Sequence, residues 1–102
     1  MLSLKDQAIK SALDNDWEAA VQCNKELLQE NPKDLDALNR LAYAYMQSGR
    51  FKDANQTYNS VIELDKTNPI ATKNLKKLNS LSQSNNGHTS TSHINHMDNV
   101  FI

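Results

Sequence analysis

The sequence repeats itself with a period of 34 residues. When the chain is shifted by that length, Trp17 falls on Phe51 and Ala20 on Ala54. A repeat of this length is one supersecondary unit that buries its apolar face against its neighbours. The shift predicts two full copies and a third that stops after its first helix. The other matches are Leu4 on Leu38, Ala8 on Ala42, Leu27 on Val61, Leu28 on Ile62, Ala37 on Ala71 and Leu41 on Leu75.

Each copy has the apolar spacing of two helices. Trp17, Ala20 and Val21 begin a stripe that continues at offsets of ten and eleven residues, which keeps the side chains on one helical face. Asn15 and Gly49 fall between the paired helices, and Asn68 and Pro69 are placed to cap and start the last one. The predicted helices are 2–14, 17–30, 35–48, 51–64 and 69–82. The predicted units are a first repeat at 1–34, a second at 35–68, a closing helix at 69–82 and a tail at 83–102.

The second copy carries the most specific motif in the chain. Its pattern resembles the tetratricopeptide repeat, which has the same 34-residue period. The resemblance implies an all-α fold, an array of helical hairpins that winds into an α-α superhelix, here with a closing helix. The residues that carry it are Leu38, Leu41, Ala42, Tyr45, Gly49, Phe51, Ala54 and Tyr58.

Residue size along the repeats has a packing explanation. Small residues such as Ala42 and Ala54 let neighbouring helices approach closely, and large ones fill the remaining gaps. The expected gap-fillers are Trp17, Tyr45, Phe51 and Tyr58. The first copy departs from the family pattern at Gln7, Ser11 and Asn24, and the second has Lys66 where the pattern has proline; these departures predict weaker packing in the first repeat.

Charge is balanced overall but not along the chain. Eleven Lys and Arg face twelve Asp and Glu, so no basic excess favours a nucleic acid and no acidic excess favours a basic partner. Residues 1–34 hold more acids than lysines, whereas 66–81 contain Lys66, Lys73, Lys76 and Lys77 and no acid. Four lysines without arginine or interleaved aromatics are more typical of a solvated helix face than of a nucleic-acid site.

The last part of the sequence differs from the repeats. Ser, Asn, Thr and His dominate residues 79–99, a composition that predicts disorder. The apolar triplet at 100–102 follows, and it suggests that the sequence is a piece of a longer protein. The opening residues contain neither a secretory signal nor a membrane span, and the single Cys23 fits a reducing compartment, so a cytoplasmic protein is expected.

The chain offers little chemistry for catalysis or cofactor binding. His88, His93 and His96 lie in the polar tail without a cysteine cluster, so we interpret them as linker residues and predict neither a metal site nor a cofactor. Cys23 has no histidine near it in sequence to act as a base. Gly49 and Gly87 are the only glycines, too few for a phosphate-binding loop. We therefore predict that the protein is not an enzyme.

The concave groove is the remaining candidate site. The family resemblance implies that the first helix of each repeat lines this surface. A mixture of lysine, tyrosine and methionine there suits a peptide with apolar and acidic groups. The predicted groove residues are Lys5, Ile9, Asn39, Tyr43, Met46, Lys73 and Lys77.

One known use of such grooves does not fit the sequence. Chaperone-binding relatives hold a terminal carboxylate with lysines, asparagines and an arginine, and of those places only Lys5 agrees here. Ile9, Arg40, Ile70 and Asn74 do not match. The predicted function is an adaptor or scaffold module that binds another protein or a peptide, and the alternative is a structural or oligomerisation domain of a larger protein.

Overall fold

The computed structural model describes residues 2–84, which form five helices in a row. Over these residues the predicted all-α hairpin array is confirmed. The helices are α1 (Leu4–Leu13), α2 (Trp17–Glu30), α3 (Leu35–Gln47), α4 (Phe51–Leu64) and α5 (Pro69–Ser84). They differ from the sequence prediction only at their ends; α5 includes residues 83 and 84, which had been assigned to the tail. The predictions for the tail beyond them, including the three histidines, lie outside the described residues.

Each helix packs against its neighbours in the chain. α1 packs on α2, α2 on α3, α3 on α4 and α4 on α5, which is the arrangement of a linear repeat array. The interfaces contain small residues with no exposed surface, among them Ala8, Ala42 and Ala54. Tyr58 and Val61 of α4 are also fully buried, and Tyr58 is the largest fully buried side chain in the part of the chain that the structure describes. The core therefore lies around α3 and α4.

Turns at equivalent places of the two copies use the same hydrogen bonds. The amide of Asp16 donates to Ser11 O at 2.8 Å and that of Arg50 to Tyr45 O at 2.8 Å, the six-to-one bond of a Schellman motif. The residues before them, Asn15 and Gly49, have φ of 59° and 82°. The predicted left-handed cap at Gly49 is confirmed, and Asn15 is its equivalent in the first hairpin.

The turns between repeats also correspond. Asp34 caps α3 by accepting the Ala37 amide at 3.0 Å, and Asn68 accepts the Ala71 amide at 3.0 Å. α5 begins at Pro69, as predicted, because its fixed φ suits the first helical position and its missing N–H needs no partner there.

We expect Gly49→Ala to destabilise the protein by about 1 to 2 kcal/mol, because a side chain disfavours the left-handed backbone. A Cβ at Gly49 would meet no atom within 4 Å, so the backbone conformation alone should determine the cost. Urea unfolding followed by far-ultraviolet circular dichroism measures this loss. The matched control is Asn15→Gly at the equivalent turn, which should be neutral or slightly stabilising. Equal stability of Gly49→Ala and the unaltered protein would contradict the role of this turn.

Candidate functional site

The predicted groove residues fall into register rows. Lys5, Asn39 and Lys73 are separated by one period each and lie on α1, α3 and α5. Ile9, Tyr43 and Lys77 form a second row, one helical turn further along the same helices. Met46 extends the surface from α3. The first helices of successive repeats therefore contribute one residue each to both rows.

Tyr43 occupies the middle of the second row. Its ring meets the ring of Trp17 edge to face, with centroids 5.7 Å apart and an angle of 76° between the planes. Such pairs stabilise beyond the area they bury. Both side chains are half-buried, which leaves part of each ring open to solvent. Tyr43 is thus a fixed aromatic surface at the junction of α2 and α3.

Asn39 lies deeper than a groove residue should. It is only 7% exposed, and its Nδ2 donates to Asn68 Oδ1 at 3.4 Å. Its own Oδ1 is buried without a hydrogen-bond partner. The described geometry gives Asn39 a structural role, because it links α3 to the cap of α5, and it offers a partner little surface.

The remaining predicted residues differ in exposure. Lys5 and Lys73 are exposed, and Ile9 is 36% exposed although it is apolar. Met46 is half-buried and packs against the core, and Lys77 is half-buried as well. The surface is thus apolar and aromatic near Ile9 and Tyr43, with a lysine toward each end of the array.

Two hydrogen bonds between repeats, one buried and one part-buried, were missed by sequence reasoning. Arg40 Nε donates to Asn24 Oδ1 at 3.0 Å, and Asn74 Nδ2 donates to Tyr58 Oη at 2.9 Å. Asn24 has no exposed surface and also donates to Ala20 O, so its departure from the family pattern makes a specific inter-repeat contact. The two bonds occupy the same register, because 24 and 40 become 58 and 74 when shifted by one period. We call them the inter-repeat bonds.

The inter-repeat bonds involve two of the residues that do not match a carboxylate clamp. The side chains of Arg40 and Asn74 both bond to the preceding helix. Asn74 is only 4% exposed. These two positions are therefore used for packing.

One expectation about packing needs correction. Phe51 is 42% exposed and does not fill a gap in the core. Its equivalent Trp17 is half-buried because Tyr43 packs against it, whereas the position equivalent to Tyr43 in the next repeat is Lys77, which provides no ring for Phe51. Tyr45 and Tyr58 are buried as expected.

Within residues 2–84, no three His, Cys, Asp or Glu side chains come together as metal ligands would. None of the five described helices is both long and apolar enough to cross a bilayer. Cys23 is half-buried on α2.

Comparison with known proteins agrees with the fold. A family model of the tetratricopeptide repeat matches residues 12–78, more than half of the chain. A search among curated proteins gave no match. The matched segment begins in α1 and ends in α5, so it includes both inter-repeat bonds.

Proposed function

The chain belongs to the tetratricopeptide-repeat family, whose members generally mediate protein–protein interaction, and we propose that it is an adaptor module that binds a polypeptide segment along its first helices. The predicted groove residues would supply the contacts. The observation that carries the proposal is the half-buried Tyr43, held by Trp17 in the middle of the row that begins with the exposed Ile9.

Charge and apolarity favour a particular kind of segment. Ile9, Tyr43 and Met46 would contact apolar side chains, and aromatic side chains at the centre of an interface often carry much of its binding energy. Lys5 and Lys73 are exposed on α1 and α5, where they would attract acidic groups flanking that apolar centre. A segment with central apolar residues and flanking Asp or Glu fits this surface best.

The proposed module acts by holding its partner and not by chemistry. The family is typically non-catalytic, which agrees with the composition. A cytoplasmic location is part of the same proposal, because the single cysteine fits a reducing compartment.

Tyr43→Ala is expected to weaken binding of a partner segment by about 1 to 2 kcal/mol, since it removes the central apolar contact. The partner would be captured with the full chain, and a peptide from it titrated against each variant. Trp17, the only tryptophan, lies beside Tyr43 and provides a fluorescence signal for occupancy of this place. Lys73→Ala should mainly lower the association rate and its dependence on salt.

Two control variants distinguish the loss of a groove contact from the effect of removing any exposed side chain. Phe51→Ala removes an exposed aromatic ring from α4, a second helix, and Lys52→Ala removes an exposed lysine from the same helix. Both should bind like the unaltered protein. Equal affinity for all variants, with folding intact by circular dichroism, would rule out the groove and favour a structural or oligomerisation domain.

A further inference from the structure

The outer face of α5 differs from the equivalent face of α3. In α3, Leu38, Ala42 and Tyr45 are buried, and α4 packs against this helix. One period later the same positions are Thr72, Lys76 and Asn79, and all three are exposed. A stacking face has thus been replaced by a polar one, as expected for the end of a helical array.

A depression opens on this polar face beside the turn that precedes α5. Three of its six lining residues are lysines and none is an acid; the lining consists of Lys66, Thr67, Pro69, Thr72, Lys73 and Lys76. We call it the basic end surface. Asp65, the nearest acid in sequence, accepts bonds from the Thr67 amide and from Asn68 Nδ2, which hold its carboxylate within the turn.

The first turn of α5 has no acid beside its lysines. α1 to α4 each have an acid in the first turn, namely Asp6, Glu18, Asp36 and Asp53, whereas α5 has none. The helix macrodipole is positive at that end and adds to the lysines. Neighbouring like charges repel one another, so an anionic partner would relieve an unfavourable local potential.

We propose that the basic end surface is a second interaction site, which binds a carboxylate-rich polypeptide segment. Lys66, Lys73 and Lys76 pair with the carboxylates, and the depression between them receives the chain of the segment. A nucleic acid fits less well, because the lining has no arginine or aromatic ring for base contacts and the whole chain has a net charge of −1.

The basic end surface shares only Lys73 with the predicted groove. Lys66 lies in the turn that precedes α5, and Thr72 and Lys76 lie on the polar face of that helix, outside the register row that contains Tyr43. A segment bound here therefore need not touch Tyr43, and the two sites can be tested independently.

The test uses the full chain and a fluorescent peptide of ten glutamates at low ionic strength. Charge reversal in the double variant Lys66→Glu, Lys76→Glu should reduce affinity by about tenfold, because attraction is replaced by repulsion. The matched control Lys25→Glu, Lys52→Glu changes net charge by the same amount at exposed lysines of α2 and α4. It should reduce affinity by less than about threefold, which is half of the tenfold effect on a logarithmic scale. Circular dichroism verifies that both variants are folded.

Site-resolved measurements complete the test. Titration of the peptide into isotope-labelled protein should shift the amide signals of Thr67, Thr72 and Lys73 and leave that of Tyr43 unchanged, and Tyr43→Ala should bind the peptide normally. Equal loss in the two double variants, or shifts spread over α2 and α4, would overturn the proposal. So would an oligothymidine of the same charge that binds more tightly at the same residues, since it would indicate a nucleic-acid surface.

Discussion

Replacing Tyr58 with alanine is expected to destabilise the protein by about 3 to 5 kcal/mol, the largest loss that any single truncation here should cause. Tyr58 has no exposed surface and is the largest fully buried side chain among the described residues. Its removal leaves a cavity in the core beside α4. It also deprives Asn74 Nδ2 of the hydroxyl that accepts its hydrogen bond at 2.9 Å. Domains of this size have only about 5 to 15 kcal/mol in total, so the variant should be close to unfolding at room temperature.

Urea unfolding of the variant and of the unaltered protein measures this loss. Phe51→Ala is the matched control, because it truncates an exposed aromatic residue of the same helix and should cost less than about 1 kcal/mol. If Tyr58→Ala does not fold, Tyr58→Leu keeps most of the volume and should fold with a smaller loss. Similar losses for Tyr58→Ala and Phe51→Ala would contradict the buried position of Tyr58.

Stability should fall steeply in alkaline solution, and Tyr58 should cause part of the fall. Burial raises the pKa of the Tyr58 hydroxyl above its ordinary value of 10.0, against the opposing effect of the hydrogen bond from Asn74. Because the pKa of Tyr58 is higher in the folded state, the group contributes its full stabilisation at pH values below its unfolded-state pKa. That contribution is lost as pH rises from about 10 toward the folded pKa, at about 1.4 kcal/mol per pH unit.

The comparison that isolates this effect is Tyr58→Phe. The variant lacks the titrating hydroxyl, so its free energy of unfolding should decline less steeply between pH 10 and pH 12 than that of the unaltered protein. It should be less stable at neutral pH, because Asn74 loses its partner in the core. Parallel curves for the two proteins over this alkaline range would show that Tyr58 does not titrate differently in the folded state.

The helices and their order were predictable because they follow from spacing. Apolar periodicity, Gly49 and Pro69 act through local backbone geometry, so a single sequence contains the information that determines them. The predicted helix ends differ from the structure by at most two residues. The period also indicated which residues share a register row, and therefore which side chains the first helices contribute.

Side-chain pairing between repeats was not predictable in the same way. Asn24 looked like a defect in an apolar stripe, yet Arg40 satisfies its carbonyl oxygen. Asn39 looked like a groove residue, but it turns toward Asn68. Both choices depend on how closely two helices approach, which residue spacing within one helix does not specify. The only available signal was that 24 and 40 recur as 58 and 74.

The inter-repeat bonds limit how this chain could be lengthened. If residues 35–68 were duplicated in tandem, Tyr58 of the first copy would meet Arg40 of the second instead of Asn74. The phenol could still accept a hydrogen bond, but from a charged guanidinium in place of the neutral amide that now donates to it. Changing Arg40 of the second copy to asparagine would restore the amide–phenol bond of the parent. Each repeat therefore carries the side chain that pairs with the repeat following it, Asn24 with Arg40 and Tyr58 with Asn74.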